Sequence, residues 1–180
     1  LGSVQSTSWA DLDLKEENSS VYDQKKIDQH FKKVERSPLR CGDKTAENKM
    51  IELINTWREQ GDSVGGVIEL VIFGLPVGLG SHVHWDEKLD GKLAQALISI
   101  QAIKGIEFGA GFKSAGCKGS EVHDEIYYDK KRAKFYRSSN KAGGIEGGIS
   151  NGEPLLIRIA MKPIPTLQNP LHTVDLNNKQ

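Results

Sequence analysis

Hydrophobic residues recur at helical spacing in two segments near the start of the chain. The first predicted helix spans Val21–Glu35 and ends where Ser37-Pro38 disfavours further helix. The second follows Asp43, whose carboxylate suits an N-cap, and stops at Gly61. The apolar positions are Ile27, Phe31 and Val34 in the first helix, and Ala46, Met50, Ile51, Ile54 and Trp57 in the second. This spacing gives each helix one apolar face.

Strand and helix patterns alternate along the rest of the chain. Val64–Phe73 is β-branched and largely apolar, which predicts a strand. A third helix is predicted from about Lys88 to Lys104, and its nearly uncharged second half predicts deep burial. Further strands are predicted at Ile106–Phe112, at the hairpin pair Glu121–Asp129 and Lys134–Arg137, and at Pro154–Met161. The order of the elements predicts an α+β fold in which mainly antiparallel sheet covers helices.

Composition narrows the range of partners. A chain of 180 residues with 37% apolar and 27% charged residues is ordinary for a globular protein and can bury a sizeable core. Lys plus Arg and Asp plus Glu both number 24, so partners held by bulk charge, such as nucleic acids and membranes, are disfavoured. The run Val67–Pro76 is too short to span a bilayer, and Leu1–Asp13 lacks the pattern of a secretory signal. Cys41 and Cys117 are expected to be reduced thiols in a cytoplasmic protein.

The most unusual segment is the glycine-rich block at 140–152, N-K-A-G-G-I-E-G-G-I-S-N-G. Glycine permits close approach of the backbone to a ligand, and paired glycines can aim successive N–H groups at an anion. With Asn140 and Lys141 as donors and Lys162 as a cation, the block could hold a phosphate or the polar edge of a planar cofactor. The alternative is a long flexible surface loop, since neither nucleotide-binding glycine fingerprint is present.

Two smaller features carry candidate chemistry. His82, His84 and Asp86 alternate, so in an extended chain they share one face, which suits a divalent metal or proton transfer. The alternative is a polar turn that enters the third helix.

Gln101 lies near the end of that helix, where its carboxamide could match the edge of a flavin or purine ring. The alternative is a partly exposed glutamine at a helix end.

Several blocks of the sequence resemble chorismate synthase in their order and spacing. They are G-D-S-V-G-G-V-I-E at 61–69, G-L-G-S-H-V-H-W-D-E-K-L-D-G-K-L-A-Q-A at 78–96, S-I-Q-A-I-K-G-I-E-F-G at 99–109, V-H-D-E-I at 122–126, the glycine-rich block, and M-K-P-I-P-T-L at 161–167. The resemblance is to bacterial members and covers 37–175 strongly. Residues 1–36 form a weakly matched lead-in and 176–180 a tail.

The resemblance implies a fold and an activity. Chorismate synthases are β-α-β sandwiches, with helices between mainly antiparallel sheets, and are usually cytoplasmic homotetramers. They convert 5-enolpyruvylshikimate 3-phosphate to chorismate, in the shikimate pathway of aromatic amino acid biosynthesis, by trans-1,4-elimination of phosphate. The cofactor is reduced FMN, and NAD(P)H takes part only where the enzyme reduces its own flavin. Neither a nucleic acid nor a membrane is an expected partner.

Carried over residue by residue, the resemblance implies a set of flavin contacts. They are Gln101, Ala102, Gly147, Lys162, Pro163, Ile164, Pro165 and Thr166. Lys162 would be a fixed cation beside an anionic flavin or its phosphate. The prolines would hold the backbone carbonyls in place with little loss of entropy. Many members have Asn where this chain has Gln101, so the amide here stands one methylene further out.

Other segments of the family are not found in this sequence. Members carry a G-E-S-H-G-like and an R-G-G-G-R-S-S-A-R-E-like segment before this region, and an R-H-D-P-C-like segment after it. These bring the acid histidines, most phosphate-binding arginines and the aspartate linked to proton removal. The chain is therefore expected to be a central to C-terminal-middle part of the enzyme, with no catalytic residue or metal of its own, and inactive alone. The competing interpretations are a non-catalytic binding or scaffold protein derived from the family, and a metal enzyme that uses His82, His84 and Asp86.

Overall fold

The computed structural model describes residues 1–16 and 20–179, in which helices and antiparallel strands are mixed. The helices are α1 (Gln24–Arg36), α2 (Lys44–Glu59), α3 (Leu89–Ile98) and the short α4 (Gly119–Val122), with short 3-10 helices at Trp9–Asp11, Trp85–Glu87 and Gly111–Gly116. The strands are β1 (Gly66–Ile72), β2 (Ile103–Phe108), β3 (Ile126–Asp129), β4 (Lys134–Arg137), β5 (Ile145–Glu146), β6 (Ile149–Ser150) and β7 (Leu155–Met161). The predicted α+β class is confirmed.

A three-stranded antiparallel sheet in the order β1-β7-β2 organises the molecule. β7 is central because its sequence, L-L-I-R-I-A-M, is apolar on both faces, and Leu155, Leu156 and Ile157 are buried. On one face, Leu155, Ile157 and Ile159 join Ile103 and Ile145 in the core. Each such fully buried aliphatic side chain contributes about 1.5–3 kcal/mol to stability.

Both long helices have an aspartate as their N-cap residue. The Oδ1 of Asp43 accepts the N–H groups of Thr45 and Ala46 at 2.9 and 3.1 Å, which confirms the predicted N-cap of α2. Asp23 caps α1 in the same way, so this helix begins at Gln24 and not at Val21. Among the described helices, none is both long enough and apolar enough to cross a bilayer.

The third predicted helix ends earlier than expected. α3 stops at Ile98, and Ile103 and Lys104, which were predicted to be helical, open strand β2. Ala102 makes the turn in the left-handed region, at φ 69°. Alanine favours helix, so the local sequence carries no stop signal. The pairing of Ile103 with Met161 on β7 overrides the local preference.

Two predicted strands are displaced as a result of neighbouring turns. The strand predicted over Ile106–Phe112 ends at Phe108, because Gly109 and Gly111 adopt positive φ values of 55° and 52°. The predicted hairpin forms between β3 and β4, but Glu121–Val122 belongs to α4.

α3 covers only part of the sheet. Leu89, Leu93 and Leu97 pack against the core, but no residue of α3 is fully buried, so the predicted deep burial is wrong for the described part of the chain. On the same face, Ile68 and Ile72 of β1 remain 43% and 46% exposed. The other sheets of the described residues are the two-stranded pairs β3-β4 and β5-β6.

A row of charged residues crosses the other face of the sheet. Arg158 pairs in register with Glu69 on one side and Glu107 on the other, and its Nε lies 2.9 Å from Glu107 Oε1. The Glu69 carboxylate accepts hydrogen bonds from Ser8 Oγ and Trp9 N at 2.6 and 2.7 Å. These bonds hold the opening segment over this face and satisfy the Glu69 carboxylate.

Candidate cofactor site

The residues predicted to contact the flavin fall into two groups at opposite ends of α3. Gln101 and Ala102 follow the C-terminal end of α3, and Lys162–Thr166 lies beside them. Gly147 lies at the other end, where its neighbour Gly148 accepts the N–H of Leu89 at 2.8 Å. A helix of 10 residues is about 15 Å long. The chain therefore brings all the predicted residues except Gly147 together.

Lys162–Thr166 is an exposed segment that leaves the sheet directly after β7. The N–H of Lys162 donates to the carbonyl oxygen of Ala102 at 2.9 Å. The Oγ of Ser63 donates to the carbonyl oxygen of Ile164 at 2.7 Å. Two points thus fix the backbone, one beside β2 and one beside β1, while the Ile164 side chain stays 63% exposed.

The turn at Gln101 and Ala102 forms one unit with this segment. Ala102 holds a left-handed conformation that is uncommon for a residue with a Cβ, and its carbonyl is engaged by Lys162. Gln101 is exposed and lies in the turn, beyond the end of α3. The Gln101 and Lys162 side chains are both exposed, so the amide and the ammonium are accessible to a ligand.

The loop after α2 supports the segment closely. A Cβ on Gly65 would lie 2.5 Å from the carbonyl oxygen of Met161 and 2.9 Å from Pro163 Cδ, so only glycine fits. Gly61 accepts the N–H of Gln168 at 3.1 Å. These contacts, and that of Ser63, were not predicted, because the sequence pattern marks this loop only as the stop of one helix and the start of a strand.

Gly147 and Gly148 are the central residues of the tight turn between β5 and β6. Their φ values of 59° and 87° are those that a two-residue hairpin turn of type I′ requires. Beside the turn, Arg137 forms a two-point ion pair with Glu146 at 2.7 and 3.0 Å, and this bond lowers the pKa of Glu146. A Cβ on Gly147 would meet nothing within 4 Å, so its backbone is open.

The glycine-rich block is a packed hairpin and not a flexible loop. The Nδ2 of Asn140 donates to the carbonyl of Pro154 at 2.8 Å, and its Oδ1 accepts the N–H of Gly144 at 2.9 Å. The Lys141 ammonium donates to the carbonyl of Glu121. Asn140 and Lys141 thus each donate one bond within the fold, and the hypothesis that they hold a phosphate stays a prediction.

His82, His84 and Asp86 form no metal centre. All three are exposed, and the chain there enters the 3-10 turn Trp85–Glu87. In the residues that the structure describes, no group of three or more His, Cys, Asp or Glu could hold a metal ion. The interpretation as a polar turn before α3 is the one that the geometry supports.

Cys41 and Cys117 are free thiols.

The predicted residues form an open surface that fits one side of a flavin site. Gln101 offers an amide for a polar ring edge, Lys162 a cation for an anionic group, and Ile164 an apolar contact for a flat ring. Two cavities of about 520 and 500 Å³ lie at the sheet face that carries Glu69 and Arg158, and none of the predicted flavin contacts lines either. These residues therefore do not enclose a ligand by themselves.

Comparison with known proteins assigns the family. The profile of the family described as chorismate synthase matches residues 4–180. The chain belongs to this family. It is 56% identical to the chorismate synthase of Desulforamulus reducens over 162 residues, which are 90% of the chain. It is 60% identical to that of Geobacter sulfurreducens over 150 residues, which are 80% of the chain. A solved structure, described as the crystal structure of chorismate synthase, matches 78% of the chain with a TM-score of 0.73 and 45% identity.

The chain spans about two fifths of the length of these relatives. The shares are 42% of the Desulforamulus reducens protein, 38% of the Geobacter sulfurreducens protein and 42% of the chain with the solved structure. The resemblance to part of a chorismate synthase is thereby confirmed. The flavin contacts stay a prediction.

Proposed function

We propose that the chain forms the central part of a chorismate synthase, which converts 5-enolpyruvylshikimate 3-phosphate to chorismate by trans-1,4-elimination of phosphate. The observation that carries the proposal is the hydrogen bond between Lys162 N–H and Ala102 C=O. It joins two distant sequence blocks that both resemble the family into one exposed unit. That unit presents an amide, a cation and an apolar side chain.

Reduced FMN is the proposed cofactor, and the chemistry that it would supply when bound is the transient donation of an electron during phosphate loss, with no net redox change. The Gln101 amide would bind a polar edge of the ring, and Lys162 would bind an anionic group. Pro163, Ile164, Pro165 and Thr166 would support the ring with little loss of entropy, because prolines restrict the segment beforehand. NAD(P)H would act only if the enzyme reduces its own flavin.

The residues of this chain would bind and orient the cofactor, and would not transfer protons. The unit of Gln101, Ala102 and Lys162–Thr166 contains neither a histidine nor a carboxylate. The acid and base groups would come from the family's other segments, so we expect the 180-residue chain alone to be inactive. Those segments, or a neighbouring subunit of a cytoplasmic homotetramer, would close the open side.

A chimera tests this function. The chain replaces the corresponding segment of the Desulforamulus reducens relative, to which it is 56% identical over 162 residues. The purified chimera receives reduced FMN and 5-enolpyruvylshikimate 3-phosphate, and chorismate is followed by chromatography. We expect chorismate from the chimera, and none from the chain alone under the same conditions. A folded chimera that binds FMN and makes no chorismate would contradict the proposed function.

A substitution at Lys162 tests the proposed binding role directly. Lys162→Ala in the chimera removes a charge-assisted contact and is expected to weaken FMN binding by about 10- to 100-fold. Lys92→Ala removes an exposed lysine on α3 and should leave binding unchanged. Equal affinities for FMN in the two variants would reject the role of Lys162.

A further inference from the structure

We infer that Ser63 is a positioning residue for the cofactor segment Lys162–Thr166, an inference that rests on the proposed function. Ser63 lies in the loop between α2 and β1, outside the set of predicted flavin contacts. Its Oγ donates to the carbonyl oxygen of Ile164 at 2.7 Å, across a large separation in sequence. It acts on the cofactor only through the backbone of this segment.

The segment needs such an anchor because it has few backbone donors. Pro163 and Pro165 have no N–H, so they cannot bond to the sheet or to the loop as donors. The residues before them, Lys162 and Ile164, are restricted towards extended conformations. The segment therefore behaves as a stiff piece, and its remaining freedom is rotation about its attachment to β7.

Two hydrogen bonds remove this freedom. The bond from Lys162 N–H to Ala102 C=O fixes the start of the segment, and the bond from Ser63 fixes Ile164. A single residue, Pro163, with its own fixed φ, lies between the two fixed points. The backbone position from which the Lys162 side chain extends is thus set by Ser63 as well as by Ala102.

Ser63 itself is held by rigid neighbours. α2 ends just before it, and β1 begins just after it, with Gly66 in register with Met161 at the end of β7. Gly65 packs against Met161 and Pro163 at distances that admit no side chain. Precise sites require supports of this kind, in which the neighbours of a binding group are locked by packing and hydrogen bonds.

Loss of the hydroxyl should loosen the segment without unfolding the protein, because the Ile164 carbonyl lies at the surface and water can replace Ser63. In the chimera, Ser63→Ala is expected to raise the Kd for FMN by about tenfold, the effect of one hydrogen bond. kcat at saturating FMN and Tm should be unchanged. Ser63→Thr keeps the hydroxyl and should restore the Kd. Ser120→Ala, at an exposed serine of α4, is the matched control.

Unchanged FMN affinity in Ser63→Ala would overturn the inference while leaving the proposed function intact. So would a lowered Tm together with failure of Ser63→Thr to restore the Kd, which would indicate a purely structural role. The proposed function fails separately, if the folded chimera without substitutions forms no chorismate.

Discussion

The N–H of Lys162 donates a 2.9 Å hydrogen bond to the carbonyl of Ala102, and Ala102 holds a φ of 69° to accept it. A residue with a Cβ in this region costs about 1–2 kcal/mol relative to its ordinary conformation. The disfavoured conformation lies where the end of α3, the start of β2 and the end of β7 meet. Fixing the cofactor segment therefore requires strain in the turn beside it.

Substitutions at Ala102 test this strain. Ala102→Gly removes the Cβ but raises the entropy of the unfolded chain, so the two effects nearly cancel and the free energy of unfolding should change by less than about 1 kcal/mol. Ala102→Val places a β-branched side chain at positive φ and should destabilise the chimera by more than 1 kcal/mol, a rough lower bound. Urea denaturation measures both. If the valine variant is as stable as the glycine variant, the turn is not left-handed.

The elements that sequence periodicity predicted well are those in which local preference and tertiary pairing agree. α2 has its aspartate cap and glycine stop, and β1 and β7 consist of β-branched and apolar residues. α3 ends early because the pairing of Ile103 with Met161 competes with a helical pattern that continues through Ala102. A competition with a distant strand leaves no local trace in sequence.

The same distinction between local sequence and contacts of distant residues applies to the candidate site. The position of Lys162 beside Ala102 agrees with the residues that family resemblance selected, but the role of Ser63 depends on a contact between distant residues. The glycine-rich block was open to two interpretations because its fixed conformation depends on Asn140 and Asp124. The hydrogen bonds of these side chains to backbone groups in and next to the block form only on folding.

Asn140→Ala tests whether the glycine-rich block is structural. The Asn140 amide bonds to the backbone of Gly144 within the block and of Pro154 just after it, and the loss of these two partly buried bonds should destabilise the chimera by about 1–3 kcal/mol. The Kd for FMN should be unchanged, because Asn140 would not face the cofactor. Asn55→Ala, at an exposed position of α2, serves as the control for Tm. A stable Asn140→Ala variant with weakened FMN binding would favour the ligand-binding interpretation.

Stability should depend on pH through His30. Burial, with repulsion from Lys33 as a smaller cause, lowers the pKa of His30, whose ring packs edge-on against Trp9 at 4.4 Å between centroids. The unfolded chain, with a histidine pKa of about 6.5, then binds the proton more readily than the folded chain. The stabilisation is fully present above about pH 6.5 and is lost as pH falls through that value towards the lowered pKa.

The measurement is Tm of the chimera between pH 8 and pH 5, a range chosen to bracket the histidine pKa of about 6.5. Tm should fall towards the acid end, and His30→Gln should flatten this slope. His172→Gln, at an exposed position in the C-terminal segment, should keep the original slope. If His30→Gln and His172→Gln show the same dependence, the desolvation of His30 does not contribute to stability.

The chain alone should self-associate. Within the described residues, β1 and β2 each pair with β7 on one side only, which leaves two strand edges as templates for another chain. Val67 and Ile68 on β1 are 61% and 43% exposed, so apolar surface adjoins one of these edges. Light scattering should therefore give a mass above the 19.8 kDa of one chain.

Val67→Lys places a charge at this edge and should reduce the association, whereas Val174→Lys, at a position 60% exposed in the C-terminal segment, should not. A monodisperse monomer that unfolds cooperatively would show that these edges need no partner.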